Sequence, residues 1–185
     1  MTAVCCNHIM HLNPYGGDAV MLAVELVHDP PADAAELAER CAAAGLTVDV
    51  APTRADYAAT QRFLQAWVEV VDADSDSERA NLLNRLLAKA AAFPRLTNHA
   101  SDGWHIHYRD PDMPLSGVLE ALISVGTALH LAGRGMDRIG RCAAPECNRV
   151  FVDVSRNGRQ RYCSPACSNR AAVRRHRARA SSVAE

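Results

Sequence analysis

The sequence lacks features of a membrane-bound or exported protein. It has no uninterrupted apolar segment of the roughly 20 residues that a membrane-spanning helix requires, and its best apolar run, residues 118–132, contains Glu120 and His130. The first 17 residues have neither the basic end nor the apolar centre of a secretory signal. We therefore expect a cytoplasmic protein with no membrane partner, in which cysteines stay reduced.

Acidic residues are scarce in the C-terminal quarter of the chain. Between Arg138 and Arg179, eleven arginines accompany only two acids, Glu146 and Asp153. Residues 138–185 thus carry a formal charge of +8, against −9 for residues 1–137. This asymmetry is typical of a polyanion-binding tail on an acidic body, although mutual attraction of the two parts or solubility alone are alternatives. Because every basic residue of the tail is arginine, which contacts phosphate bidentately, a nucleic-acid partner is favoured.

Four of the seven cysteines form two close pairs, Cys142 with Cys147 and Cys163 with Cys167, separated by fifteen residues. Two such pairs suit a tetrahedral four-cysteine site that holds one structural zinc ion. Four thiolates leave no open position for a catalytic water, so the zinc is not expected to support an enzymatic reaction. The alternative, four free or disulfide-bonded cysteines, requires an oxidising compartment for the disulfides.

The residues between and after the pairs predict a small treble-clef-like zinc finger. Residues 150–154 and 160–162 are predicted to pair as strands around an Asn-Gly turn. Ser164 can cap a helix with Pro165 in its first turn, which would aim Cys167 back at the other cysteines.

The helix predicted after the last cysteine is rich in arginine. Five arginines recur there at spacings that place them on one face and a neighbouring strip. Such a density of like charge favours contact with phosphate over a merely solvated helix. Asn169, Arg170 and Arg174 are the candidates for base edges. The predicted DNA-contacting residues are Arg156, Arg159, Arg161, Asn169, Arg170, Arg174, Arg175, Arg177 and Arg179.

The remainder of the chain predicts a mainly α domain with one small β-hairpin, an α+β class. Apolar periodicity indicates helices over residues 18–28, 32–44, 54–71, 78–93 and 115–132. Asp18, Thr53 and Ser77 are the predicted caps, with Asp56 completing a capping box. Residues 96–99 and 104–108 are the predicted strands. The expected organisation is a helical domain over residues 1–136, a finger over 137–180 and a disordered tail over 181–185.

Two histidine-containing clusters are candidate ligand sites. His105 and His107 share one strand face, with His99 opposite, and could bind a metal or an anionic ligand. A polar, solvent-facing side of the hairpin is the preferred interpretation of these histidines. The second cluster matches no standard site, and a disordered terminus or a packed strand is preferred for it: Cys5, Cys6, His8 and His11.

The finger resembles the CGNR zinc finger, which is named for the tetrapeptide around its last cysteine. The likeness covers the first cysteine pair, the Val-Phe-Val-Asp-x-Ser-Arg-Asn segment, Arg-Tyr-Cys and the arginine-rich tail. Here the tetrapeptide reads Cys-Ser-Asn-Arg over residues 167–170, with Ser in place of Gly. Residues 16–28 and the His-Ile-His-Tyr strand are similar to the two ends of the ABATE domain. This resemblance implies a bacterial, stress-induced transcription regulator.

The resulting hypothesis is a two-domain, nucleoid-associated regulator that catalyses no reaction. Its finger would bind double-stranded DNA, and its helical domain would sense a small-molecule or metal effector or form a homodimer. One alternative is a zinc module that binds RNA or another protein. A less favoured one is a treble-clef metal-dependent nuclease, which would need a histidine pair beside the finger, whereas His176 is the only histidine after residue 130.

Overall fold

The computed structural model describes residues 16–46, 51–98 and 104–182, which form six α-helices and two antiparallel hairpins. The helices are α1 (Gly17–His28), α2 (Ala34–Ala43), α3 (Arg54–Asp72), α4 (Asp76–Ala90), α5 (Leu115–Arg134) and α6 (Pro165–Ser182). The strands are β1 (Arg95–Thr97), β2 (His105–His107), β3 (Ile139–Arg141) and β4 (Val150–Val152). The predicted fold class, mainly helical with a small cysteine-rich finger, is confirmed.

Helix α5 is the centre of the body, where α1, α3 and α4 pack around it. At the contact between α3 and α5, Trp67 is fully buried and its indole N–H donates to the Thr127 hydroxyl at 2.9 Å. Helix α5 extends beyond the apolar run of residues 118–132, and by its length and composition alone it could cross a membrane. That indication is weak, because the core helix of a soluble protein has the same composition and most of α5 is buried.

The capping box predicted at the start of α3 is present. The Thr53 hydroxyl accepts from the Asp56 backbone N–H, and the Asp56 carboxylate accepts from the Thr53 N–H at 2.9 Å. The other oxygen of Asp56 accepts from both the N–H and the hydroxyl of Ser116 in the first turn of α5. Burial raises the pKa of Asp56, but the hydrogen bonds from Thr53 and Ser116 outweigh it and lower the pKa. One carboxylate thus fixes the starts of two helices.

Two predicted caps were wrong. Helix α1 has Gly16 as its N-cap, and Asp18 lies in the first turn. The reason is the close approach of α1 to α5: a Cβ on Gly16 would lie 2.0 Å from the Gly126 carbonyl oxygen. Helix α4 is capped by Ser75, whose hydroxyl accepts from the N–H of Glu78, rather than by Ser77.

The first hairpin pairs β1 with β2 in the register Arg95 with His107, Leu96 with Ile106 and Thr97 with His105. Its strands are shorter than predicted, and His99 lies outside the described residues, as does the predicted turn. The N-terminal cluster of Cys5, Cys6, His8 and His11 lies outside them too.

The second hairpin differs from the one predicted. Strand β4 pairs with β3, which precedes the first cysteine, and residues 160–162 form no strand. Residues 153–160 curl instead around the Asp153 carboxylate, which accepts hydrogen bonds that a strand would direct to a neighbouring backbone. Apolar side chains of β3 and β4 join the core of the helical body: Ile139, Val150 and Val152.

Two arginines connect this hairpin to the helical body. Arg141 of β3 forms a bidentate pair with Asp72 at the end of α3, with both N···O distances at 2.7 Å. Arg79 of α4 donates to three carbonyls at the end of α3 and to the carbonyl of Met136, just before β3. The position of the hairpin is therefore fixed by polar contacts as well as by apolar packing.

Candidate zinc site and arginine helix

The four predicted zinc ligands come together in one cluster. The Sγ atoms of Cys142, Cys147, Cys163 and Cys167 all lie within 4.8 Å of one another. Cys163 Sγ is 3.6 Å from Cys147 Sγ and 3.7 Å from Cys167 Sγ. A tetrahedral ion with zinc–sulfur bonds of about 2.3 Å separates its sulfurs by about 3.8 Å. The cluster therefore has the donor type and the spacing that one structural zinc ion requires.

Each cysteine pair is positioned by a tight local structure. The first pair occupies the connection between β3 and β4, where the Cys142 N–H donates to the Arg149 carbonyl at 2.9 Å. The second pair spans the start of α6, where the Ser164 hydroxyl accepts from the Cys167 N–H at 3.3 Å. This is the cap predicted from Ser164, and it turns the Cys167 sulfur towards the first pair.

The electrostatics of the cluster favour a bound cation. Burial raises the pKa of the Cys163 thiol to about 12, whereas the Ser164 hydroxyl lowers the pKa of Cys167 to about 7. Arg170 adds positive charge, with its Nη2 atom 3.0 Å from Cys167 Sγ. Four sulfurs at this spacing cannot all ionise in the absence of a compensating charge, because the thiolates repel one another. A divalent zinc ion supplies that charge, and binding would release the remaining thiol protons.

A buried carboxylate organises the loop that follows β4. Asp153, only 2% exposed, accepts hydrogen bonds from the hydroxyl and the N–H of Ser155 and from the N–H of Gln160. It also pairs with Arg138 at 3.1 Å. Burial raises the pKa of Asp153, but these hydrogen bonds and Arg138 outweigh it and lower the pKa. This role of Asp153 was not predicted from the sequence. The scarcity of acidic residues in the finger was the signal that pointed to it.

Helix α6 projects from the zinc cluster. Cys167 and Ala171 are the buried side chains among residues 165–180, and every side chain from residue 172 to residue 180 is exposed. The helix contains five arginines and no acidic residue. One end of an otherwise exposed cationic helix is therefore attached at the zinc site.

Two neighbouring turns of α6 share one carboxylate. Glu146, on the loop between the first two cysteines, accepts from Arg174 at 3.0 Å and from Arg170 at 3.3 Å. The hydrogen bond from Arg174 contributes most to lowering the pKa of Glu146. Five residues line an open groove along this face of the helix: Asn169, Arg170, Val173, Arg174 and Arg177. The contact with Glu146 was not predicted from the sequence.

The other predicted DNA-contacting arginines are also at the surface. Arg175 donates to the Tyr162 hydroxyl at 2.9 Å, which ties α6 to the loop before the second cysteine pair. Arg179 lies further along α6, and the three remaining arginines are exposed on the Asp153 loop and just after it: Arg156, Arg159 and Arg161.

The histidines have separate surroundings. His105 and His107 lie together on β2, with their Nε2 atoms 3.1 Å apart. His176 lies exposed on α6. Among the described residues, the four cysteines are the one group of three or more side chains suited to hold a metal ion. His176 thus belongs to no metal cluster of the kind that a nuclease would need there.

Two protein-family models match the chain, one over the finger and one over the helical body. A model described as "CGNR zinc finger" matches residues 138–180. A second, the ABATE model, described as "Putative stress-induced transcription regulator", matches residues 20–134, which is more than half of the chain. A search of curated proteins finds no match. Neither description is that of an enzyme.

Proposed function

Because the chain belongs to the ABATE family and carries a CGNR zinc finger, we propose that it is a regulator that binds double-stranded DNA through α6. The zinc ion, held by Cys142, Cys147, Cys163 and Cys167, has a structural role in this proposal and fixes the start of α6. The chain itself catalyses no reaction.

The observation that carries the proposal is the exposure of a helix that carries charge of one sign. Arginines four residues apart, Arg170 with Arg174 and Arg175 with Arg179, repel each other and destabilise a helix. Glu146 forms ion pairs with both arginines of the first pair. Phosphates on a nucleic acid would neutralise both pairs, and an α-helix of about 10–12 Å diameter fits the major groove of B-DNA, about 12 Å wide.

The proposed contacts fall into two classes. Asn169, Arg170 and Arg174 line one groove and are proposed to reach base edges, since arginine and asparagine are the side chains that read guanine and adenine bidentately. The remaining side chains are proposed to contact phosphates and set the orientation of the helix: Arg156, Arg159, Arg161, Arg175, Arg177 and Arg179.

The helical domain, proposed to span residues 1–136, would sense an effector or form a homodimer. The finger would span residues 137–180 and the tail residues 181–185. Arg141 and Arg79 connect the β3–β4 hairpin to α3 and α4. A change at the ends of these helices would therefore reach the zinc site. A cytoplasmic, nucleoid-associated location follows from DNA binding.

The test is fluorescence anisotropy of the zinc-loaded chain with duplex DNA over a salt series. The double variant Arg174→Ala/Arg175→Ala should bind at least about tenfold more weakly. The slope of log K against log salt concentration should fall by about one, because Arg175 is a proposed phosphate contact and Arg174 a proposed base contact. The matched control is Arg62→Ala/Arg85→Ala, which removes two exposed arginines from α3 and α4. Unchanged binding by the α6 variant, or equal losses in both variants, would refute the role of α6.

RNA binding is the second candidate, since the exposed arginines suit any polyanion. Competition by structured RNA and by single-stranded DNA against the labelled duplex separates the candidates. A preference for duplex DNA supports the proposal. A preference for RNA moves the function to the second candidate, and no binding to any of them makes α6 a protein-contact surface.

A further inference from the structure

The β1–β2 hairpin places two imidazole rings side by side, far along the chain from the cysteine cluster. The Nε2 atoms of His105 and His107 are 3.1 Å apart. The ring centroids are separated by 4.9 Å, and the ring planes are inclined at 55° rather than stacked. Two alternate residues of one strand have thus directed the same nitrogen atom towards one point.

The two nitrogens are within hydrogen-bond distance of each other, and the same geometry fits two histidines on a common metal ion. A transition-metal ion about 2.0–2.1 Å from each imidazole nitrogen, at a near-tetrahedral angle, sets the two nitrogens about 3.3 Å apart. Rings that radiate from such an ion are tilted, with their centroids further apart than their ligating nitrogens. Both observed separations therefore fit without any change of backbone.

The pair is not an ordinary solvated face. On the opposite face of the hairpin, Trp104 and Leu96 are 71% and 67% exposed, while both histidines are half-buried. An arrangement with apolar side chains in water and imidazoles covered is the inverse of the usual hairpin. The histidine face is therefore the more covered of the two faces of this hairpin.

The hairpin holds the two rings in place before any ligand arrives. Its register fixes His105 opposite Thr97 and His107 opposite Arg95. The Arg95 guanidinium donates to the Arg109 carbonyl at 2.6 Å, and the Ala92 N–H donates to the Tyr108 carbonyl at 2.7 Å. These contacts close the open end of the hairpin, so the ordering cost of bringing two ligands together is met by the fold.

We propose that His105 and His107 chelate one divalent transition-metal ion, separate from the zinc of the cysteine cluster. Imidazole ligands select ions such as Ni²⁺, Cu²⁺ and Zn²⁺ over Mg²⁺ and Ca²⁺, which prefer oxygen. Two imidazoles leave the other coordination positions to water or to an anionic ligand. This site goes beyond DNA binding and does not depend on it.

The test is calorimetric titration of the zinc-loaded, full-length chain with NiCl₂. Wild-type protein should bind an additional Ni²⁺ ion, and either His105→Gln or His107→Gln should weaken that binding at least about tenfold. His176→Gln, which removes an exposed histidine from α6, is the matched control and should bind Ni²⁺ as the wild type does. Absence of additional Ni²⁺ binding, or binding unchanged in both hairpin variants, overturns the proposal.

A second measurement needs no variant. In wild-type protein, Ni²⁺ should shift or broaden the NMR signals of the imidazole protons of His105 and His107. These changes should occur at lower Ni²⁺ concentrations than the changes in the signals of His176. Broadening of His176 first, or of all histidines together, identifies surface binding and contradicts the site. Mg²⁺ at the same concentration should leave all these signals unchanged.

Discussion

Helices α5 and α6 have nearly equal lengths, 20 and 18 residues, and opposite relations to the rest of the chain. Twelve residues of α5 are buried, and α1, α3 and α4 pack around it. In α6, the buried side chains among residues 165–180 are Cys167 and Ala171. The burial of α5 in the core explains why α5 is present in the fold, whereas the core does not explain α6.

The difference in burial indicates that the two helices are stabilised in different ways. Burial of apolar side chains stabilises α5 by roughly 1.5–3 kcal/mol for each large residue. Helix α6 gains little from burial, which is the main source of helix stability in proteins, and it carries repelling arginines. It depends on the zinc site at its start and, in the proposed function, on phosphates along its exposed length.

Removal of zinc should produce the largest contrast between the two helices. After chelation, or in Cys163→Ala, α6 should lose its helical circular-dichroism signal, and duplex binding should fall about a hundredfold or more. The reason is that a small metal-bound module folds with its metal. Helices α1 to α5 should keep their signal because their core does not contain the zinc ligands.

The matched control for this experiment is Cys41→Ala. Cys41 is fully buried in the body, where burial raises its pKa to about 11, so it is not expected to bind zinc. This variant should retain one zinc ion by elemental analysis and should bind DNA normally. Normal DNA binding by Cys163→Ala after verified loss of zinc would show that α6 does not need its metal anchor.

A substitution within α5 should have a smaller effect of a different kind. Thr127→Val removes the acceptor of the Trp67 indole N–H in a fully buried position. An unsatisfied buried donor costs about 1–3 kcal/mol, so the free energy of unfolding measured in urea should fall by that amount. DNA binding by the folded variant should not change.

The reverse exchange on α6 sharpens the comparison. Val173 is 51% exposed, and Val173→Thr should change the free energy of unfolding by less than about 0.5 kcal/mol. If Val173→Thr destabilises the chain as much as Thr127→Val does, α6 packs against something in solution, and the contrast between the two helices is wrong.

Local rules were enough to predict much of this molecule from its sequence. The zinc-ligand spacing, the Ser164 cap and the capping box of Thr53 with Asp56 depend on residues three to five apart, and such short-range signals are legible in a sequence. The five helices of the body followed from apolar periodicity in the same way.

The errors concern contacts between distant residues. Strand β4 pairs with β3 across the first cysteine pair because the Asp153 carboxylate captures the N–H of Gln160 and Arg138 supplies its counter-charge. A propensity-based prediction treats Asp153 as a surface residue and pairs β4 with the nearest downstream segment. The N-cap at Gly16 was missed for the same reason, since the approach of Gly126 is visible only in the fold.

The smallest expected effect on DNA binding concerns Glu146, the acid that neutralises the start of α6. Its carboxylate contacts Arg170 and Arg174, the two arginines that are proposed to reach base edges. Glu146→Gln frees both guanidinium groups, so duplex DNA should bind about two- to fivefold more tightly at low salt, with a slightly steeper salt dependence. The measurement is the same anisotropy titration.

Net charge alone would also strengthen binding, and Glu39→Gln on α2 controls for it, because Glu39 is exposed on the body and the change in charge is identical. A gain confined to Glu146→Gln places a DNA contact at Arg170 and Arg174. Equal gains in both variants leave only a general attraction. Weaker binding by Glu146→Gln would mean that the carboxylate holds the two arginines in their DNA-binding positions, and competition with DNA would then be the wrong description of this contact.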